Sequence, residues 1–148
     1  MPGDAKYEGI IATYFTDLNR DIKPAAFVTP SSAAEVAEVV KTLKATTGPS
    51  TVTITGAGQQ ATPGVSTVRD GLVIHLQNLR CVELKENKII VPVAAGDKLG
   101  KVYELVQAKV LAVVGNRHSS DGIGGDTVQS ESFVSAKQLV LSNPWPAL

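Results

Sequence analysis

Two glycine-rich stretches contain most of the residues that could hold a ligand. Residues 55–60 read TGAGQQ, and residues 115–125 read GNRHSSDGIGG. Glycine lets backbone amides come close to a ligand and adopt positive φ angles. Successive amides in such loops form concavities that bind anions such as phosphate. Two of these loops in one small chain predict a ligand that carries a diphosphate, or one long enough to contact both loops.

The second loop also holds two groups that could transfer protons, His118 and Asp121. A histidine in a polar glycine-rich loop is a candidate for acid–base chemistry. No carboxylate or nucleophile is visibly paired with His118, so a structural role is the alternative there. A carboxylate at Asp121 would repel a neighbouring diphosphate. The other histidine, His75, lies within an apolar strand, and we expect it to be structural.

The first loop follows a strand, a helix and a second strand. A short strand is predicted at 26–29, and Ser32 with Glu35 forms a capping-box pattern that begins a helix. The dipeptide at 48–49, Gly-Pro, ends that helix, and a β-branched strand at 52–55 runs into the loop. The apolar face of the helix consists of Val36, Val39, Val40 and Leu43, at helical spacing.

The second loop follows a similar order of elements. A strand is predicted at 71–76, then a hairpin formed by 80–84 and 88–94 with its turn at Glu86 and Asn87. Asp97 is expected to cap a helix, and a strand at 111–114 leads into the loop. The apolar face of this helix consists of Leu99, Val102, Tyr103 and Val106. The fold class is therefore α/β (α+β), with two β-α-β units and small mixed sheets.

Composition narrows the classes of function. The chain has 148 residues, the size of one domain, and its 14 basic and 14 acidic residues cancel. It therefore lacks the positive charge that binds nucleic acids or anionic membranes. A single cysteine, Cys81, excludes an internal disulfide and a cysteine-rich zinc site; we expect it to be a small buried hydrophobe, and no metal site is predicted. No apolar run spans a bilayer and no signal peptide is seen, so a cytoplasmic location is expected.

Several motifs together resemble a known family. They are the segment 23–30 (KPAAFVTP), the loop 55–60, the strand 71–74, the segment 93–103 and the loop 115–125. In this order and spacing they resemble the N-terminal part of the FAD-binding domain of berberine-bridge-enzyme-like FAD-linked oxidases, with the p-cresol methylhydroxylase or vanillyl-alcohol oxidase type of flavin fold. Residues 1–22 would form an N-terminal helical segment, 23–126 a truncated FAD-binding-type domain, and 127–148 a divergent C-terminal tail.

The resemblance implies roles for both loops. The first would cradle the FAD pyrophosphate through the backbone of Gly56, Ala57, Gly58, Gln59 and Gln60. The second would line the rest of the cofactor channel with Gly115, Asn116, Ser119, Gly122, Gly124 and Gly125. Many relatives carry a histidine bonded to the flavin where this chain has Gln59, which cannot form that bond. FAD would therefore be bound non-covalently, with a bond from His118 as the alternative.

The family continues beyond the second loop with a further glycine cluster and a substrate domain, where this chain has the segment 126–133 (DTVQSESF) and ends at Leu148. We therefore expect a truncated FAD-linked oxidase-like protein that takes part in oxidising a small-molecule substrate. One alternative is a cofactor-free descendant, a cyclase or isomerase that uses His118 and Asp121. Another is a non-catalytic subunit that forms a homodimer or binds a longer relative, because truncation would leave sheet edges and apolar surface uncovered.

Overall fold

The computed structural model describes residues 1–46, 51–84, 91–113 and 115–129. The described residues contain both helices and strands, and the strands form a small parallel sheet, which confirms the predicted fold class. The helices are α1 (Ala5–Ala12), α2 (Asp17–Arg20), α3 (Ala33–Ala45), α4 (Leu99–Gln107) and α5 (Ile123–Gln129); the strands are β1 (Ala26–Val28), β2 (Val52–Thr55) and β3 (Leu72–His75); and a 3-10 turn spans Leu76–Asn78. Among the described residues, no helix is long and apolar enough to cross a membrane.

The sheet places the first glycine loop. Its order is β1-β3-β2, and both pairings are parallel. The central strand is the most buried, with Val73 and Ile74 almost fully covered. Thr55 at the end of β2 pairs with His75 at the end of β3. Ligands of open parallel sheets bind beyond the carboxyl ends of the strands, and the first loop begins at Thr55, at this edge.

The N-terminal segment packs against the sheet. Asp4 caps α1 by accepting a hydrogen bond from the Lys6 amide at 2.7 Å, as expected of an N-cap aspartate. On the buried face of α1, the ring of Tyr7 lies 5.1 Å from that of Phe27 in β1, and its hydroxyl donates to the Pro24 carbonyl at 2.8 Å. The apolar spacing of Tyr7, Ile10, Ile11, Tyr14 and Phe15 predicts one amphipathic helix. Tyr7, Ile10 and Ile11 are buried on α1 as predicted, whereas Tyr14 and Phe15 lie beyond its end, Tyr14 buried and Phe15 60% exposed.

The predicted start of α3 is confirmed, with a small change in its cap. The Ser32 hydroxyl accepts a hydrogen bond from the Glu35 amide at 3.1 Å, as a capping box requires. The Glu35 carboxylate, however, accepts from the amide and hydroxyl of Ser31 at 2.8 and 2.9 Å rather than from the Ser32 amide. No residue of α3 is fully buried. The dipeptide at 48–49 lies outside the described residues.

Two predictions for the second unit are wrong. Asp97 does not cap α4; Lys98 is the N-cap residue, while the Asp97 carboxylate is buried and accepts a hydrogen bond from the Cys81 amide at 2.7 Å. Cys81 itself is exposed rather than buried. Its carbonyl accepts from the Ala94 amide at 2.9 Å beside a single antiparallel bridge from Val82 to Val93. The hairpin is thus present as a bridge, and its predicted turn lies outside the described residues.

The predicted strand at 111–114 is also wrong for residues 111–113, which are not in a strand; Val114 lies outside the described residues. The backbone amides of Val110 and Leu111 instead form hydrogen bonds that end α4. The Leu111 amide donates to the Val106 carbonyl and the Val110 amide to the Gln107 carbonyl, both at 2.9 Å. With Val110 at a φ of 56°, this is a Schellman motif, which turns the chain before a strand can begin.

Candidate functional site

The two glycine loops face each other across a cleft of about 220 Å³. The first loop contributes all five residues predicted for it, and the second contributes three of its six predicted cofactor residues together with Asp121. The lining residues are Ile54, Thr55, Gly56, Ala57, Gly58, Gln59, Gln60, Val65, Ser66, Asn116, Asp121, Gly122, Gly125 and Asp126. The predicted convergence of the loops is therefore seen in the structure.

Glycines bring the loops into contact. A Cβ atom on Gly122 would lie 2.8 Å from the Ala57 Cβ, and Cβ atoms on Gly56 and Gly124 would lie 3.1 and 2.9 Å from the Ala95 carbonyl oxygen. Real Cβ atoms do not pack this closely without movement of the neighbour. Gly56, Gly122 and Gly124 are thus needed for the walls of the cleft to meet, whatever the cleft binds.

Gly58 and Gly125 differ in whether their positions could accommodate a side chain. Gly58 has a φ of 69°, and a Cβ there would lie 2.9 Å from the ring of Tyr14, so both its conformation and its surroundings require glycine. A Cβ on Gly125 would meet no heavy atom within 4 Å apart from its own helix. Since Gly125 lines the cleft, this open space is available to a ligand.

Tyr103 supports the second loop from α4. Its ring lies against Gly115, and its hydroxyl donates a hydrogen bond to the Asn116 carbonyl. Ser119 is likewise engaged through its backbone, where its carbonyl accepts from the Gly100 amide at 2.8 Å. The cofactor channel was expected to include Gly115, Ser119 and Gly124, and none of these three lines the cleft.

The two candidates for proton transfer are separated. His118 is exposed and does not line the cleft, whereas Asp121 does. Their connection is through the backbone, where the Asp121 amide donates to the His118 carbonyl at 3.2 Å. Among the described residues, no hydrogen bond joins their side chains. Acid–base work by this pair stays a prediction, with only Asp121 inside the cleft.

Of the described residues that line the cleft, the charged ones are both acidic, Asp121 and Asp126, and the other polar ones are neutral. Burial raises the pKa of Tyr103 above its usual value, and the charges of Asp126 and then Asp121 raise it further. This second effect shows that both carboxylates make the electrostatic potential beside Tyr103 more negative. The described residues contain no group of three or more histidine, cysteine or acidic side chains that could hold a metal ion.

No pattern in the sequence indicates that the N-terminal segment supports the cleft from behind. Its residues Tyr14, Phe15 and Asn19 each donate a hydrogen bond to a carbonyl of a cleft-lining residue. An apolar pattern in this segment predicted a helix, but a lone asparagine or a tyrosine hydroxyl carries no indication of a long-range partner. These contacts could not have been found from spacing in the sequence.

His75 is a structural residue of the sheet, as expected. It is 3% exposed, its Nδ1 accepts a hydrogen bond from the Gln77 amide at 3.3 Å, and its ring lies 6.3 Å from that of Phe27. Burial, with a smaller contribution from the charge of Lys98, lowers the pKa of His75 to about 4. The imidazole is therefore neutral at physiological pH, with its proton on Nε2 because Nδ1 is an acceptor.

Comparison with known families identifies the family of the chain. A family model described as an FAD binding domain matches residues 24–135. The match covers most of the chain and contains both glycine loops. The chain belongs to this FAD-binding family, and its cofactor is FAD.

Individual relatives agree with this assignment. The chain is 28% identical over 125 residues to the FAD-dependent monooxygenase sdcF of Emericella nidulans. The aligned residues cover 84% of this chain and 26% of that protein. It is 29% identical over 124 residues to the FAD-dependent monooxygenase tpcD of Cochliobolus heterostrophus, with coverages of 84% and 24%. The chain thus spans about a quarter of the length of these curated relatives.

Solved structures confirm the fold that the resemblance implied. A BBE-like protein from Arabidopsis thaliana superposes with a TM-score of 0.73 at 22% identity, over 84% of this chain and 26% of the other. Aclacinomycin oxidoreductase superposes with a TM-score of 0.72 at 19% identity, over 86% and 25%. At these identities the likeness is one of fold.

The backbone lining of the cleft suits the diphosphate part of FAD. All six residues of the first loop line it, one of them a glycine with positive φ, and such backbone concavities hold phosphate without lysine or arginine. Gly125 leaves open space on the opposite wall. The carboxylates of Asp121 and Asp126 are the unfavourable feature, because they add negative charge beside an anionic ligand.

Proposed function

We propose that this chain binds FAD non-covalently through the cleft between its two glycine loops and serves as the cofactor-binding part of an FAD-linked oxidoreductase. The observation that carries the proposal is the contact of Gly122 with Ala57, which closes two backbone-lined loops around one space. The membership of the chain in an FAD-binding family supports the identity of the ligand.

In this proposal the protein mainly binds and orients the cofactor. The backbone of residues 56–60 holds the diphosphate, and Asn116 and Gly125 line the opposite wall. Gln59 has an amide side chain that donates to the Ala57 carbonyl at 3.3 Å and offers no nucleophile, which supports non-covalent binding. When bound, the flavin supplies hydride and electron transfer.

The proposed reaction is the oxidation of a small molecule, in line with the monooxygenase names of the relatives. The cleft volume of about 220 Å³ is below the range of roughly 300–1,000 Å³ typical of complete ligand sites. We therefore propose that further polypeptide covers the flavin ring and the substrate. This polypeptide is the remainder of a longer chain, a longer relative or a second copy in a homodimer.

The first experiment is a visible absorbance spectrum of the purified chain after incubation with excess FAD and desalting. Retained flavin bands support the proposal, and a flat spectrum from folded protein contradicts it. The matched variants are Gly125→Val, which adds a side chain to the open space in the cleft, and Gly9→Val, which adds the same side chain on α1 away from it. Only the first should lose the flavin bands, since a Cβ at either position meets no heavy atom of the protein within 4 Å outside its own helix.

One observation favours a second candidate, a cofactor-free acid–base catalyst. Both charged residues that line the cleft are carboxylates, Asp121 and Asp126, and paired carboxylates in one site can serve as acid and base when their environments differ. If the folded chain binds no FAD, a screen of small molecules with Asp121→Asn as the control variant tests this alternative. Ligands whose binding does not depend on Asp121 would argue against it.

A further inference from the structure

Residues 14–19, called here the N-terminal clasp, hold the first glycine loop from behind. The Phe15 amide donates to the Gly58 carbonyl at 3.1 Å, and the Tyr14 hydroxyl donates to the Ser66 carbonyl at 3.0 Å. The Asn19 side-chain amide donates to the Gln60 carbonyl at 2.7 Å. Gly58, Gln60 and Ser66 all line the cleft. The clasp precedes residue 24, where the match to the family model begins.

Asn19 is the centre of the clasp because it makes two of these long-range bonds. Besides its donor bond to Gln60, its Oδ1 accepts from the Gly64 amide at 3.1 Å. The side chain thus spans the turn between residues 60 and 64, and the residue is 0% exposed. An amide side chain has one acceptor and one donor group, and Asn19 uses both of them in these two bonds.

The clasp also determines which way the loop amides point. A trans peptide plane directs its carbonyl and its N–H in opposite directions. Because the Gly58 carbonyl is bonded to Phe15, the N–H of Gln59 points away from the clasp. The Gln60 carbonyl is fixed in the same way by Asn19. The N–H of this second plane belongs to Ala61 and donates to the Gln60 Oε1 at 2.9 Å. Loss of the bond to Asn19 therefore frees this peptide plane to rotate and changes the backbone conformation of the loop that would hold the anion.

The tyrosine of the clasp is a constant donor. Burial raises the pKa of Tyr14 to about 12, so its hydroxyl keeps its proton across the physiological range. Its ring packs against Gly58, which adds a steric restraint to the same loop. Removing this side chain would also remove core packing, so Asn19 is the better residue on which to test the role of the clasp.

We propose that Asn19 is a positioning residue for the FAD diphosphate, which acts by fixing the backbone of residues 58–64. The proposal rests on the proposed function for its ligand. Its structural part, the control of loop conformation by Asn19, does not depend on FAD. The N-terminal clasp would then be an integral part of the cofactor site although it lies outside the matched family region.

The test compares Asn19→Asp and Asn19→Leu with the same changes at Asn78, an exposed asparagine whose side chain donates to the Thr29 carbonyl at 3.0 Å. Asn19→Asp keeps an acceptor for the Gly64 amide but, when ionised, cannot donate to Gln60. We expect the FAD dissociation constant to rise about tenfold for this variant, the effect of one lost buried hydrogen bond. Protonation restores a donor, so the affinity relative to wild type should recover as the pH is lowered. The Asn78 variants should bind FAD as the wild type does.

A second measurement needs no cofactor. In amide spectra of isotope-labelled protein without FAD, Asn19→Asp should shift the resonances of residues 58–64 and leave those of α4 in place. Unchanged resonances in this loop, or an unchanged FAD affinity in folded Asn19→Asp protein, would overturn the proposal. Should Asn19→Leu fail to fold, the FAD affinity of Asn19→Asp at lowered pH still tests the positioning role of Asn19. If the wild type binds no FAD, the proposed function fails, and the loop resonances still test the positioning role.

Discussion

Gly122 packs directly against Ala57, and this contact joins the two glycine loops. A Cβ on Gly122 would lie 2.8 Å from the Ala57 Cβ and 3.0 Å from its backbone nitrogen. Both residues line the cleft. The separation of the two walls is therefore set by a contact in which one partner has no side chain at all.

The variant Gly122→Ala should damage both stability and binding. Its added methyl group overpacks the contact with Ala57, which destabilises folding by about 1–3 kcal/mol, and it pushes the walls apart. Urea unfolding measures the first effect and FAD titration the second. Gly9→Ala is the matched control, because its methyl group enters open space on α1 away from the cleft and alanine favours the helix. Equal effects of the two substitutions would show that the contact with Ala57 does not set the cleft.

The carboxylate of Asp121 should weaken FAD binding. Since it lines a cleft whose other charged residue is also acidic, Asp121→Asn should increase the affinity for FAD, by about tenfold for a charge removed near an anion. Wild-type affinity should rise with added salt, which screens the repulsion, and this salt effect should shrink in the variant. Glu104→Gln, an exposed change on α4, should alter neither. A loss of affinity in Asp121→Asn would mean that this carboxylate contacts the ligand favourably.

The fold was predictable wherever local signals agreed with tertiary packing. The strands at β1, β2 and β3 and the capped start of α3 at Ser32 follow from alternation, β-branching and capping residues. The strand expected at 111–114 failed because apolar residues there resemble a strand, while the backbone of Val110 and Leu111 closes the end of α4. A short apolar run does not show whether its backbone forms a strand or closes the end of a helix.

The glycines of the candidate site could be predicted from the sequence, whereas the residues that hold the glycine loops in place could not. The first loop lines the cleft as expected, because glycine content marks positions where backbone must approach closely. The division of the second loop into lining residues such as Gly125 and packing residues such as Gly115 depends on Tyr103, which arrives from another helix. The bonds of Asn19 to residues more than forty positions away have no periodicity or spacing that a single sequence could show.

His75 should make the stability of the protein depend on pH. Burial lowers its pKa from 6.5 to about 4, so between these values the unfolded chain binds a proton that the folded chain does not. Stability is fully present above about pH 6.5 and falls as the pH drops toward 4. The loss reaches about 3 kcal/mol at most, since one pKa unit corresponds to about 1.36 kcal/mol.

Urea unfolding at several pH values measures this dependence. In His75→Gln the slope of unfolding free energy against pH should flatten in that window, whatever the baseline stability of the variant. His118→Gln, which changes an exposed histidine, should keep the wild-type slope. A wild-type slope that survives in His75→Gln would assign the pH dependence to other groups.

Val110 should be a site where glycine stabilises the fold. Its φ is 56° and its side chain is 95% exposed, so a β-branched residue adopts a left-handed conformation with almost no packing in return. That conformation costs about 1–2 kcal/mol for residues with a Cβ, whereas glycine adopts it freely and loses roughly 0.5–1 kcal/mol in chain entropy. Val110→Gly should therefore raise the free energy of unfolding by about 0.5–1 kcal/mol. Asp70 has a similar φ of 54°, but aspartate tolerates this region, so Asp70→Gly should gain less. Destabilisation by Val110→Gly, measured by urea unfolding, would show that the end of α4 is held by contacts of the valine side chain rather than strained by it.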